Sequence, residues 1–280
     1  MPHGWLVPNK AFIVTRPPNL YHGRQPINQS KNLVFTLAAQ MLRGNSASDR
    51  VLKLTHTKQT SMLLSRKYNF LFVHIAKTGG TSVRAALQPL RWRDPWYYAQ
   101  FICSRLSHVS GHRIGSKFPR HARIIAAQEM LPEEFFGQLF KFAFVRNPWD
   151  LQVSSYHHIR RERPHLIAHL QDFEQFVRWK LDPERPYQYH IDTSIQSQLD
   201  YLVDLRGNLL VDYIGRYENL NDDFRHICEV LGLEQLKLPH KREARDRKKD
   251  YRSYYSDGLA ELVEHHFKRD VSALDYRFEP

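Results

Sequence analysis

From Asn69 to Ile75 (NFLFVHI) the chain is almost entirely apolar, the pattern of a strand buried on both faces rather than one with a wet side. A glycine turn follows, and the next polar–apolar rhythm predicts a helix from about Thr81 to Leu87. Phe140–Arg146 (FKFAFVR) repeats the strand pattern, is broken by Asn147-Pro148, and leads into a helical stretch over Trp149–Arg161. A third strand is predicted at Val211–Arg216, with a helix over about Leu220–Leu231 that Gly232 stops. The last helix is expected to begin at Ser256 as N-cap and to carry Leu259, Leu262, Val263, Phe267 and Val271 on one face. This alternation predicts an α/β fold, a doubly wound parallel sheet flanked by helices. Right-handed crossovers would then align the strand C-termini along one edge, where ligands bind.

The first sixty-one residues show no such period. Pro2, Pro8, Pro17, Pro18 and Pro26 lie among scattered Asn, Gln and Ser, and a globular pattern begins abruptly at Met62. We therefore expect a weakly structured basic segment over residues 1–61 and a folded domain over residues 62–280. The segment is read as sequence upstream of the true start, an acid-poor targeting segment, or a basic arm that contacts a substrate.

Composition narrows the class. Of 280 residues, 42% are hydrophobic and 12% aromatic, enough for a sizeable core. No apolar run reaches the roughly eighteen residues of a membrane span, and no signal-peptide pattern opens the chain. Cys103 and Cys228 cannot make a disulfide framework, so a reducing compartment is expected. The net charge of +12 is concentrated in two places. Residues 1–61 hold eight Lys and Arg against Asp49 alone, and residues 237–252 hold eight more against Glu243, Asp246 and Asp250. Such patches attract anions, whether nucleic acid, acidic lipid, polyanionic glycan or a phosphorylated cofactor, and charge does not choose among them.

Two constellations do. Lys77-Thr78-Gly79-Gly80-Thr81-Ser82 lies between a buried strand and a helix N-terminus. Glycines there let the backbone approach an anion, first-turn amides and the helix dipole attract it, Lys77 adds a full charge, and Thr78, Thr81 and Ser82 add hydroxyls. The alternative is a tight turn with a solvated lysine. In the nucleotide-triphosphatase loop lysine follows the glycines, whereas Lys77 precedes them, so NTP hydrolysis is disfavoured. The second constellation is Phe144-Val145-Arg146-Asn147-Pro148-Trp149-Asp150, continuing to Ser154. Arg146 ends a strand on the same edge as Lys77, and Ser154 follows a little over two helical turns later. An arginine fork with a serine hydroxyl suits a second phosphate. The plainer reading pairs Arg146 with Asp150.

Together these motifs resemble the sulfotransferases that use 3′-phosphoadenosine 5′-phosphosulfate (PAPS), in particular the carbohydrate type related to heparan 2-O- and chondroitin-type enzymes. FLFVHIAKTGGTSV is similar to that family's 5′-phosphosulfate loop and FAFVRNPWDLQVSSY to its 3′-phosphate motif. VDYIGRYENLNDDF and the C-terminal LVEHHFKRDVSALDYRF add to the likeness, which covers about Met62 to Phe278. Ala76 stands where the family usually has proline, and the run KREARDRKK replaces an asparagine-containing loop. The resemblance implies a P-loop-like fold and sulfuryl transfer from PAPS to a hydroxyl, expected on a carbohydrate. It also implies that Lys77 acts in catalysis, that Lys77 to Ser82 hold the 5′-phosphosulfate, and that Arg146 and Ser154 hold the 3′-phosphate.

The acceptor hydroxyl needs a general base, for which histidine is suited. His121 has the family's spacing of some twenty-five residues before the arginine and is preferred; His112, in a G-H element, is the alternative, and Glu129 a third. No metal is expected, since the adjacent pairs His157-His158 and His265-His266 point about 100° apart on a helix. Trp92, Trp96, Tyr97, Tyr98 and Phe101 either stack on sugar or adenine or form core. Arg242–Lys249 covers the nucleotide, grips a polyanionic acceptor, or is a solvated run. The competing functions are a P-loop-like small-molecule kinase and a non-enzymatic binder of nucleic acid or another polyanion. No nucleic-acid partner and no transmembrane segment are expected, the oligomeric state is open, and a cytoplasmic enzyme is expected over a Golgi-anchored one.

Overall fold

The computed structural model describes residues 12–13, 62–91, 93–99, 102–103, 119, 121–239, 248 and 250–278. Five strands form one sheet in the order β1-β5-β4-β3-β2: β1 Phe12–Ile13, β2 Leu63–Ser65, β3 Phe70–Val73, β4 Phe140–Val145 and β5 Tyr213–Arg216. The middle three run parallel, with Phe72 opposite Phe142 and Ala143 opposite Ile214. Both outer strands are antiparallel, which the expectation of a parallel sheet did not include. The reason at one edge is local: β2 and β3 are joined by a turn too short for a parallel crossover, with Asn69 at φ 49°. Within the segment read as weakly structured, Phe12–Ile13 pairs with β5, and its other residues lie outside the described ones apart from this pair.

Alternation along the strands sends side chains to two cores. Phe70 and Phe72 of β3 and Phe142 and Phe144 of β4 share one face, where the rings of Phe72 and Phe142 stack at 5.3 Å. Helices α1 (Gly80–Arg91) and, after β5, Leu220–Val230 cover them with Val83, Leu87, Phe224 and Ile227. Leu71, Val73, Ala143, Val145 and Ile214 line the other face. It is covered by α2 (Ile124–Met130), α4 (Pro148–Glu162), α5 (Phe173–Leu181) and α8 (Asp257–His266), with α3 (Glu133–Gln138) and the single turn α6 (Tyr189–Asp192) at its margin. The Leu220–Val230 helix is α7, and α9 is Lys268–Ala273. Lys141, inside a buried strand, is neutralised by Asp212 at 2.8 Å.

The stop at Gly232 takes the left-handed conformation, φ 65°. Ser256 precedes α8 as expected but makes no side-chain cap; its hydroxyl donates to Glu174 Oε2 at 3.4 Å. The C-terminal helix is two helices rather than one, because Phe267 leaves helical geometry (φ −100°, ψ 22°) while keeping its ring in the core. Among the described residues no helix is long and apolar enough to cross a membrane.

Candidate active site

Both constellations lie at the C-terminal edge of the parallel strands, on the first two crossovers. After β3 the chain turns through Lys77 at φ 69° and Gly79 at φ 79° into α1. A side chain at Gly79 would also meet Leu220 Cδ2 at 2.9 Å, and one at Gly80 would meet the His74 ring at 2.2 Å. Glycines at these two positions let the loop close tightly beneath a helix N-terminus, where the Ser82 amide already donates to the Gly79 carbonyl at 2.9 Å. Thr78 is fully buried and its hydroxyl donates to the Ile75 carbonyl at 3.0 Å, so it braces the loop rather than offering that proton to a ligand. Lys77 is half-buried, Thr81 exposed and Ser82 half-buried.

Arg146 joins this loop to the second motif. Its Nη1 donates to the Lys77 carbonyl at 3.0 Å, Nε donates to Asp150 Oδ2 at 2.8 Å, and the guanidinium lies 3.7 Å from the Tyr217 ring centre. The plainer reading, an Arg146–Asp150 pair, is therefore present, and it serves to aim the fork. Nη2 touches Asp150 Oδ2 at 2.7 Å but makes no aligned hydrogen bond, which leaves donor capacity unspent in a residue only 2% exposed. Asp150 therefore meets the guanidinium charge through both Nε and Nη2 and fixes the plane of the fork. Ser154 lies one turn beyond Asp150 on the same face of α4 and is half-buried.

Asn147 starts α4, its side chain accepting from the amides of Trp149 and Asp150 while its own N–H donates to Glu218 Oε1 at 2.7 Å. Burial pushes the Glu218 carboxyl above its usual range, opposed by the bond from Asn147, and Tyr276 donates to its other oxygen at 3.2 Å. Gln198 holds the Arg146 main chain, accepting from its N–H at 2.8 Å and donating to its carbonyl at 2.7 Å. Sequence patterns did not point to Gln198, Tyr217 or Glu218 individually. The stretch after β5 resembled the family, but nothing in its spacing singled out a residue.

His121 is half-buried, with Nδ1 2.8 Å from the His74 carbonyl and the two rings 4.7 Å apart. A carbonyl only accepts, so Nδ1 carries the proton and Nε2 is the basic nitrogen of the neutral ring. His74 is three residues before Lys77, which places His121 at the same sheet edge as the loop. His112 lies outside the described residues, and Glu129 is exposed on α2. Tyr97 is buried, with Arg91 over its ring at 4.2 Å, whereas Trp96 and Tyr98 are exposed; Trp92 and Phe101 lie outside the described residues. So does the 242–249 run except Lys248, whose N–H donates to Tyr254 Oη at 2.9 Å. Among the described residues no three His, Cys, Asp or Glu are grouped to hold a metal ion, and His157 bonds Tyr254 Oη at 2.9 Å.

Comparison of the sequence with known proteins finds named relatives. Mouse (Mus musculus) and rat (Rattus norvegicus) proteins named carbohydrate sulfotransferase 11 are each 23% identical over 229 residues, covering 70% of this chain. The chain spans about 60% of the length of those relatives. The profile described as "Sulfotransferase family" matches residues 60–277, from just before β2 to the C-terminal tail, and takes in the loop, the arginine clamp and His121 alike: the chain belongs to the sulfotransferase family.

Proposed function

We propose that this protein transfers a sulfuryl group from PAPS to a hydroxyl of a carbohydrate. The observation that carries this reading is the bond from Arg146 Nη1 to the Lys77 carbonyl, which makes one site of two separate anion-binding elements. A donor with a phosphosulfate at one end and a 3′-phosphate at the other needs two such elements at a fixed separation. The names of the mammalian relatives support a carbohydrate as acceptor.

Each residue then has a task. The α1 N-terminus and Lys77 hold the 5′-phosphosulfate, and Lys77 neutralises the negative charge that builds on the oxygen bridging sulfur and phosphorus as that bond breaks. Arg146, with the Ser154 hydroxyl, takes the 3′-phosphate. His121 Nε2 removes the proton of the attacking hydroxyl, and its Nδ1–H bond to His74 holds the ring in that tautomer while positive charge develops. PAPS itself supplies the activated sulfuryl group, and this scheme assigns no metal.

The test is thermal stabilisation by 3′-phosphoadenosine 5′-phosphate beside ATP with Mg²⁺. At about a hundredfold over its dissociation constant a ligand adds roughly 2.7 kcal/mol, or about 5 °C for a domain of this size. A shift with the bisphosphate and little with ATP is expected. A flat response to both would overturn the donor site. Transfer of labelled sulfuryl from PAPS to a panel of unsulfated glycans then tests the acceptor class.

A further inference from the structure

β4 outruns its neighbours. Its last partner on β3 is Ala143 opposite Val73, and its last on β5 is Val145 opposite Arg216, so the Arg146 peptide lies beyond the paired ladder. A buried N–H and C=O at that point need partners from elsewhere. Gln198 provides both, because its planar amide presents one acceptor and one donor side by side, as an adjacent strand would. Gln198 is itself 1% exposed and is fixed from behind by Asp270 of α9, which accepts from the amides of Gln198 at 2.8 Å and Leu199 at 3.0 Å and from the Ser197 hydroxyl. Asp270 is wholly buried, and these three bonds are what its oxygens spend themselves on.

We propose that Gln198, held by Asp270, is the positioning residue that sets the Arg146 guanidinium for the 3′-phosphate, so that recognition of that phosphate depends on a latch from the C-terminal helices. The proposal rests on the donor-site reading above. Three groups make the four hydrogen bonds that define where the fork sits: Gln198 places its main chain with two, Asp150 its Nε with one, and the Lys77 carbonyl its Nη1 with one. The latter two involve the 5′ side or the clamp helix, and the Tyr217 ring lies against the guanidinium; Gln198 ties the main chain to the C-terminal helices through Asp270. Loss of one of its two bonds lets the Cα drift, and a bidentate contact tolerates little drift.

The experiment measures dissociation constants for 3′-phosphoadenosine 5′-phosphate and for adenosine 5′-monophosphate by titration calorimetry, in the wild type and in Gln198→Glu and Asp270→Asn. Gln198→Glu keeps the size and the acceptor for the Arg146 N–H but removes the donor to its carbonyl; Asp270→Asn loosens the support instead and stands in if Gln198→Glu does not fold. The wild type should prefer the bisphosphate. Each folded variant should lose about tenfold or more of that preference, with its 5′-monophosphate constant little changed. Equal weakening of both ligands, or an unchanged ratio, overturns the latch, since a general structural role would not single out the 3′-phosphate. A wild type without any preference would instead overturn the donor-site reading on which the latch rests.

Discussion

At the scale of single residues, the site depends on a few atoms whose partners leave little freedom. With Nδ1 of His121 committed to the His74 carbonyl, the ring presents one basic nitrogen in a fixed orientation. His121→Ala should therefore keep affinity for 3′-phosphoadenosine 5′-phosphate and lose about 10²–10⁴ in kcat for sulfuryl transfer, as removal of a general base does. If turnover survives, the base lies elsewhere, and His112→Ala is the variant to measure next. Gly80 tests the neighbouring contact. A methyl there would meet His74 Cδ2 at 2.2 Å and Nε2 at 2.3 Å. Overpacking of that kind costs about 1–3 kcal/mol, so Gly80→Ala should lower Tm and weaken bisphosphate binding by displacing His74 and the loop together. An unchanged Tm would show that the ring moves aside freely.

Among the elements, α5 shows how a sequence pattern can conceal its meaning. Phe173, Phe176 and Val177 are spaced as a buried helical stripe, and Lys180 occupies the next position of that stripe. Its ammonium is fully buried and donates to Gln152 Oε1, Ser155 Oγ and Ser194 Oγ at 2.7–3.1 Å, tying α5 to α4 and to the turn after α6. Burial holds its pKa well below the usual 10.5, with the charges of Arg185 and Lys77 acting in the same direction and Asp192 opposing them. The unfolded chain therefore binds a proton that the folded one resists, so this group's contribution to stability rises as pH climbs from its depressed folded value toward 10.5. Urea melts of the wild type and Lys180→Met should show the difference moving in favour of the wild type as pH rises toward 10.5, by at most about 1.4 kcal/mol per pH unit. A difference independent of pH would mean that Lys180 stays charged throughout.

For the molecule as a whole, the C-terminal tail ties the clamp to the body. The Asn147 side chain donates to the Arg277 carbonyl at 3.0 Å, Tyr251 donates to that of Phe278 at 2.7 Å, and Tyr276 reaches Glu218. The Phe278 ring packs 5.5 Å from those of Trp149 and Tyr255. Ending the chain after Asp275 should cost about 3 kcal/mol or more, from loss of the buried Tyr276 side chain and the aromatic contacts of Phe278, and should weaken bisphosphate binding because α4 begins against this tail. Denaturant melts and ligand titration on the shortened chain check both parts. Intact affinity in a destabilised protein would separate the tail from the clamp.

Local pattern was enough for the alternation of strands and helices, the glycine loop before α1 and the arginine at the end of β4, because periodicity, turn chemistry and charge are written in neighbouring residues. It was not enough for α5, whose stripe contains a lysine, or for the break at Phe267, which keeps an apolar residue at the expected interval. Nor could it show which residues meet. Arg146 and Lys77 are 69 positions apart, Arg146 and Gln198 52, and His121 and His74 47, and the antiparallel pairing of β1 with β5 is of the same kind. Such contacts are chosen when two cores close over one sheet and every buried donor must find an acceptor. The composition of the two motifs was therefore set by the sequence, and their meeting at one sheet edge, with the groups that hold them in place, by the tertiary fold.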